Sequence, residues 1–238
     1  MALPKLDIPK YSLVVPSTKK EVEYRPFLVK EEKILMMAEE SKDDKQYIQA
    51  LKDIIIACTF NKLTVDNLTT YDLEYIFLQL RCKSIGENVK LIGRCPLDCP
   101  HGENCDHETP ITLDLSTVKV REPKVKPNDM IKLTDSVSIK LKPISVKYMS
   151  KLDANSDITT TIRYMIDSVY DANNIYDLSD SSDNEVTEFI DSFSHEALEG
   201  IQEYILKQPK MVHTLKYNCS KCKKENDITI EGFQAFFQ

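Results

Sequence analysis

Two stretches of the chain repeat one pattern of cysteines and apolar residues, and together they could bind a metal ion. Cys95 and Cys105 belong to the first stretch, and Cys219 and Cys222 to the second. Each has an apolar residue four positions before its first cysteine, Glu three positions after its second cysteine, and an Ile-Thr-Leu or Ile-Thr-Ile run six positions after it. Each half therefore predicts a strand, a cysteine turn and a second strand. Two such hairpins supply four thiolates, which is the ligand set of a tetrahedral zinc ion.

The two halves can be aligned through their strands, so that the first cysteines correspond to each other and the second cysteines do too. This alignment gives a preferred ligand set with one substitute: Cys95, Cys105, Cys219 and Cys222, with Cys99 as the substitute. His101 and His107 lie nearby as spare donors. Four protein ligands leave no position for water, so such a zinc ion would be structural rather than catalytic. Two alternatives stay open: free thiols without metal, and a second metal ion held by the spare residues.

Composition indicates a globular protein that is not primarily a nucleic-acid binder. The chain has 238 residues, of which 42% are hydrophobic and 29% charged, with a net charge of −7. Phosphate binding requires a clustered excess of Lys and Arg. The short basic runs at 119–126 and 221–224 are offset by acidic stretches.

The cysteines and the apolar segments indicate the cellular compartment in which the protein is expected. No apolar run is long enough for a membrane span or a signal peptide, which predicts no membrane association. In a reducing cytosol, a Cys-x-x-Cys turn indicates metal binding rather than a disulfide. Cys58 and Cys82 lie within apolar helical patterns, and we expect both to be buried.

The sequence predicts an α+β fold: an N-terminal extended arm and helices, a central antiparallel β region with a zinc-ribbon-like pair of cysteine knuckles, and C-terminal helices. Five segments follow from the changes in pattern: an extended arm at 1–28, a helical segment at 29–86, a β region with the first knuckle at 87–143, a helical segment at 144–208, and the second knuckle with a tail at 209–238. The paired knuckles predict that 87–238 forms one unit.

Periodicity predicts the individual elements. Helices are expected at 29–40, 43–59, 66–83, 145–152, 157–170, 185–193 and 195–207, and strands at 11–15, 22–25, 89–92, 111–115, 118–120, 131–133 and 137–141. Asp66 is the expected N-cap of the third helix. Residues 177–184 are expected to form a polar surface loop.

No catalytic constellation is recognisable in the sequence. The motifs of serine hydrolases, P-loop proteins, zinc proteases and dinucleotide-binding folds are missing. His195 follows a serine at a predicted helix start, which indicates a surface position, and His213 lies in the strand that enters the second knuckle. We therefore predict that the protein is not an enzyme.

Two segments carry a resemblance to a known family. The first runs from Pro16-Ser-Thr through Val22-Glu-Tyr-Arg-Pro-Phe-Leu-Val-Lys-Glu-Glu-Lys-Ile-Leu. The second is Asp66-Asn-Leu-Thr-Thr-Tyr-Asp-Leu-Glu-Tyr-Ile-Phe-Leu-Gln-Leu-Arg-Cys-Lys-Ser-Ile-Gly. They resemble the baseplate hub subunit family of T4-like contractile-tailed phages, and the resemblance continues to the knuckles.

The resemblance implies a structural or assembly component of the baseplate hub. Such a protein would be made in the cytoplasm of the bacterial host and would act in the virion tail. Its partners would be other hub proteins and the tape measure protein, and oligomerisation within the baseplate is compatible with this role. No catalytic residues accompany the family. The alternative function is a zinc-ribbon regulator that binds nucleic acid.

The proline-rich arm is a candidate interface, because main-chain hydrogen bonds can join an extended segment to a neighbour. Arg25 and Phe27 are its candidate partner-binding anchors, since Arg and aromatic side chains dominate interface energetics. Docking of the arm on its own chain is an equally weighted alternative.

Overall fold

The arm folds back on the chain as a two-stranded hairpin. Its strands are β1 (Tyr11–Val14) and β2 (Glu21–Tyr24), and they pair antiparallel. The computed structural model describes residue 4 and residues 6–96, 105–152 and 156–232. Five apolar side chains of the arm are buried: Leu13, Val15, Val22, Tyr24 and Phe27. Together with buried side chains from two later helices, at 44–58 and 70–84, they form the first hydrophobic core.

Three helices follow the arm: α1 (Val29–Ser41), α2 (Asp44–Cys58) and α3 (Thr70–Ser84). Asp43 caps α2 by accepting a hydrogen bond from the N–H of Lys45. The prediction that Asp66 caps α3 was wrong, because Asp66 lies in a 3-10 turn before the helix. Thr69 is the cap, and its hydroxyl accepts from the N–H of Asp72 while the Asp72 carboxylate accepts from the N–H of Thr69.

Two long hairpins contain the cysteine turns. The first consists of β3 (Asn88–Arg94) and β4 (Glu108–Asp114), and the second of β10 (Lys210–Asn218) and β11 (Glu225–Glu231). The short strand β5 (Val120–Arg121) pairs with the start of β10. Both hairpins contribute to a second core that also contains side chains of α3; its buried members are Leu78, Cys82, Leu113, Leu115, Val118, Met211 and Ile230. Helix α3 therefore packs against both hairpins, at the ends opposite the cysteine turns.

A separate antiparallel sheet has the order β6-β7-β8-β9. Its strands are β6 (Met130–Lys132), β7 (Ser138–Leu141), β8 (Ile166–Tyr170) and β9 (Ile175–Tyr176). The helices α5 (Ile158–Met165), α6 (Asp183–Asp191) and α7 (His195–Leu206) share a third core with this sheet. The short helix α4 (Val146–Met149) instead places Val146 in the first core.

One predicted helix was wrong in its second half. The prediction placed helix through 157–170, but the helix ends at Met165 and the next five residues form β8. The polar loop expected at 177–184 contains a 3-10 turn, Leu178–Asp180, and the start of α6. The predicted α+β class, with antiparallel strands and two cysteine turns close together, is confirmed.

Candidate metal centre

The cysteine turns of the two long hairpins meet. The sulfur atoms of Cys95, Cys105, Cys219 and Cys222 all lie within 4.8 Å of one another. Across the hairpins, the Cys95 and Cys222 sulfurs are 3.7 Å apart and the Cys105 and Cys219 sulfurs 3.8 Å apart. Cys95 and Cys219 are completely buried, whereas the other two cysteines are partly exposed. The structure therefore brings together the four cysteines that were preferred as ligands from the alignment of the two halves.

Where they join the strands, the two turns have equivalent backbone geometry in the described residues. The N–H of Cys95 donates to the carbonyl of His107, and the N–H of Cys219 donates to the carbonyl of Lys224. In each hairpin this bond lies one step beyond the last of seven strand pairs. The residue after each second cysteine, Asp106 or Lys223, has a positive φ, 36° and 63° respectively. This left-handed residue redirects the chain from the turn into the returning strand.

Contacts between the hairpins fix the distance across the centre. The Tyr217 hydroxyl donates to the carbonyl of Arg94 over 3.0 Å. The N–H of Ser220 donates to the Thr109 hydroxyl over 3.0 Å, and the Asn226 amide reaches the Cys95 sulfur at 3.8 Å. Thr109 and Asn226 are equivalent positions in the two hairpins, so each hairpin sends one polar side chain across to the opposite turn. Sequence reasoning missed these residues, since a single Thr or Asn in a strand carries no distinctive signal.

The four cysteine thiols differ in pKa. Backbone N–H groups of the second turn, first that of Cys222, donate to the Cys219 sulfur and lower the pKa of that thiol to about 6. Burial, and hydrogen bonds with the neighbouring thiols, raise the pKa of Cys95 to about 12. Burial also raises the pKa of Cys105. Four thiolates this close together repel one another, so the fully deprotonated cluster requires a cation at its centre.

Zinc fits the spacing of the sulfurs. Tetrahedral coordination with bonds of about 2.3 Å places neighbouring sulfurs roughly 3.8 Å apart. The two distances across the hairpins, 3.7 and 3.8 Å, match this separation. A donor set of four sulfurs also favours zinc over magnesium or calcium, which prefer oxygen.

The remaining candidate donors have other positions. The His107 ring nitrogen lies 2.8 Å from the Ser220 hydroxyl, and His107 is not part of the cluster of four. Cys99 and His101 lie outside the described residues. Cys58 and Cys82 are buried in helical cores, as predicted, and burial raises the pKa of each to about 11.

The two proposed partner-binding anchors face their own chain. Arg25 is 8% exposed and donates to the Glu31 carboxylate over 2.8 Å. Phe27 is 7% exposed, and its ring stacks on that of Phe77 with centroids 6.2 Å apart. These contacts secure the C-terminal end of the arm to α1 and α3.

A buried carboxylate that sequence reasoning missed holds the turn of the arm. Asp72 is fully buried, and it accepts hydrogen bonds from the N–H and hydroxyl of Ser17 at 2.8 and 2.5 Å. It also accepts from the N–H and hydroxyl of Thr69. An Asp three residues after a Thr is a capping signal, but nothing in the sequence indicates a partner 55 residues away.

Comparison with protein families gives a match along most of the chain. The family described as T4 bacteriophage base plate protein matches residues 8–238. Searches of curated proteins and of solved structures found no match. None of the described helices is long and apolar enough to cross a membrane. A match over nearly the whole chain identifies a structural protein of the phage tail that associates with other baseplate proteins. The chain therefore belongs to the T4 bacteriophage base plate protein family.

Proposed function

We propose that this baseplate protein is a structural or assembly component of the central hub, in which a structural zinc ion joins the two long hairpins. The observation that carries the proposal is the convergence of four thiols within 4.8 Å in a chain of the baseplate family. It acts through contacts with other proteins, and it is not an enzyme.

In this proposal the zinc ligands are Cys95, Cys105, Cys219 and Cys222. When bound, zinc supplies four strong bonds that connect parts of the sequence up to 127 residues apart. All four positions would be occupied by the protein, so water has no place on the metal. Zinc therefore contributes stability and a fixed shape rather than catalysis.

The arm supports a role in assembly. Arg25 and Phe27 would contribute to partner binding by anchoring an arm whose other side remains accessible. Val14 is 49% exposed and Leu6 87% exposed. We propose that this exposed side contacts a neighbouring subunit. Deletion of the whole arm is a poor test, because it would remove five side chains from the first core.

A substitution of an exposed arm residue tests this interface more cleanly. The variant Val14→Asp should fold and bind zinc normally, since Val14 is half exposed, but it should reduce recruitment into tails. The matched control is Ile85→Asp, at an apolar residue that is 60% exposed but lies outside the arm. Normal recruitment of the Val14 variant would contradict the interface.

The proposed partners are other hub proteins and the tape measure protein, encountered in the host cytoplasm during assembly. A pull-down of the tagged protein from infected cells should recover these components. Mass spectrometry of purified particles should detect the chain if it is a retained subunit and not if it is an assembly chaperone. A tagged chain that is missing from every tail intermediate would contradict both versions.

A further inference from the structure

A cavity of about 310 Å³ lies where the edge of the four-stranded sheet meets α6. Its apolar walls come from β8, β9, the segment before β7, the 3-10 turn and α6, and consist of Val137, Val169, Tyr176, Leu178, Val186 and Phe189. Its volume lies at the lower end of the range for ligand pockets. This is enough for one or two large side chains but not for a folded domain.

Apolar side chains continue outside the cavity. Ile175 and Tyr176 form the edge strand β9 and are 69% and 48% exposed. Within the part of the chain that the structure describes, β9 pairs only with β8. The cavity therefore opens beside a strand edge with exposed apolar side chains, an arrangement typical of peptide docking.

Charge is distributed unevenly along the chain. Residues 164–206 contain eleven of the 38 acidic residues and none of the 31 Lys and Arg residues. The remainder of the chain therefore has 27 acidic and 31 basic residues, a net charge of +4. The acidic segment includes β8, β9, α6 and α7, so the walls of the cavity belong mainly to the acidic part of the protein.

Three carboxylates line the cavity itself: Asp171, Asp177 and Glu185. They accept hydrogen bonds from Tyr176 and from backbone N–H groups, including those of Ser179 and Ser182. Among the described residues, none of the three has a Lys or Arg within 4.0 Å. Two basic residues near the cavity form ion pairs with other carboxylates: Arg163 with Asp183, and Lys142 with Asp167. The hydrogen bonds fix the carboxylates but supply no counter-charge, and Lys142 and Lys147 act on Asp177 only from beyond 4.0 Å.

We propose that this cavity, with its three carboxylates, is an acidic groove that binds a basic, extended segment of another tail protein. An apolar side chain of the segment would enter the cavity, and flanking Lys or Arg residues would pair with the carboxylates. Charge complementarity selects this occupant, because an acidic or uncharged segment would leave three carboxylates partly desolvated without counter-charge. The groove is separate from the arm and from the cysteines, so the inference depends neither on zinc nor on the hub role.

Photo-crosslinking in infected cells tests the proposal. The photoreactive amino acid p-benzoylphenylalanine, placed at position 176, keeps an aromatic ring at the mouth of the groove. The expected product is a crosslink to a segment of another tail protein that contains an apolar residue flanked by Lys or Arg. Crosslinks to a second copy of this chain, crosslinks to an acidic or uncharged segment, or the lack of any crosslink would overturn it.

Charge variants separate the groove from the general acidity of the region. The double variant Asp177→Asn/Glu185→Gln removes two charges from the groove but retains oxygen acceptors for Ser179 and Ser182. The control Glu196→Gln/Glu199→Gln removes two charges from α7, outside the groove. We expect crosslinking to fall about fivefold in the groove variant, in line with two exposed ion pairs, and to stay unchanged in the control. Equal loss in both variants would mean that only net charge matters and would overturn the specific groove.

Discussion

The ring of Tyr217 covers Gly93, and no other residue type fits beneath it. A β-carbon built on Gly93 would lie 2.6 Å from the nearest ring atom. The Tyr217 hydroxyl is at the same time bound to the carbonyl of Arg94, so the ring is held in place at both ends. This close approach allows the two hairpins to pack until their cysteine turns meet.

The variant Gly93→Ala should therefore separate the hairpins. We expect a loss of about 2 kcal/mol in the free energy of unfolding, measured by urea denaturation, because overpacking at a fixed ring forces both hairpins to shift. The control is Gly200→Ala in α7, where the added carbon would meet only the Ile131 side chain, its Cδ1 at 3.3 Å and its Cγ2 at 3.5 Å. Alanine is the better helix former, so the control should be neutral or stabilising. Equal stability of the Gly93 variant and the natural protein would contradict this packing.

Removal of one cysteine from the cluster should abolish the proposed zinc binding. The variant Cys105→Ser should contain no tightly bound zinc and should lose at least about 4 kcal/mol of stability, since metal binding and folding are coupled. Elemental analysis and thermal unfolding with and without a chelator measure the two effects. Cys82→Ala is the matched control, because Cys82 is a buried cysteine outside the cluster. This control should retain zinc and respond to the chelator as the natural protein does.

The buried pair between Arg25 and Glu31 should make stability depend on pH. Burial alone would raise the pKa of Glu31, but hydrogen bonds from Arg25 and from the Leu28 N–H outweigh it and lower the pKa below the ordinary 4.5. A lowered folded-state pKa means that the pair stabilises the protein above pH 4.5, and that this stability is lost as the pH falls through the folded-state value.

The variant Glu31→Gln isolates this contribution. It leaves the Arg25 charge buried without its counter-charge and should cost about 3 kcal/mol at pH 7. Its stability should also fall less steeply than that of the natural protein below pH 4.5. Chemical denaturation from pH 3 to pH 7 gives both curves, and parallel curves would show that Glu31 is not the titrating group.

The carboxylate of Asp72 should control how firmly the arm is held. Asp72→Ala removes the buried carboxylate that accepts four hydrogen bonds from Ser17 and Thr69, and it should cost about 3 kcal/mol. Ser17→Ala removes only one hydroxyl and should cost about 1 kcal/mol. In hydrogen exchange, both variants should speed exchange in β1 and β2, and Asp72→Ala should also affect the start of α3. Unchanged protection of the arm in Asp72→Ala would show that other contacts hold it.

Local patterns predicted much of the fold. Helices α1, α2 and α7 and both cysteine hairpins lie close to their predicted positions, because each has a strong period or a distinctive turn. The prediction failed at β8, whose sequence Ile-Asp-Ser-Val-Tyr continues an apolar pattern from α5. Apolar spacing over five residues fits either a helix or a strand, and pairing with β7 decides between them.

The sequence identified the four candidate ligands of the site. It did not identify the packing contacts that hold the two hairpins together. Cysteine spacing identified the four thiols, because few residue types bind metal at such intervals. The Tyr217–Gly93 contact and the packing of α3 against both hairpins join segments that are distant in the sequence. Periodicity within one segment cannot predict such contacts. The same limit applies to Asp72, whose local role as a capping residue was visible and whose contact with Ser17 was not.

Elemental analysis of protein purified without added metal or chelator measures whether the four cysteines hold a zinc ion. We expect one zinc ion per chain and four cysteines that are protected from thiol reagents until the metal is removed. Protein that is folded but contains no zinc, with all four of these cysteines freely reactive, would contradict it.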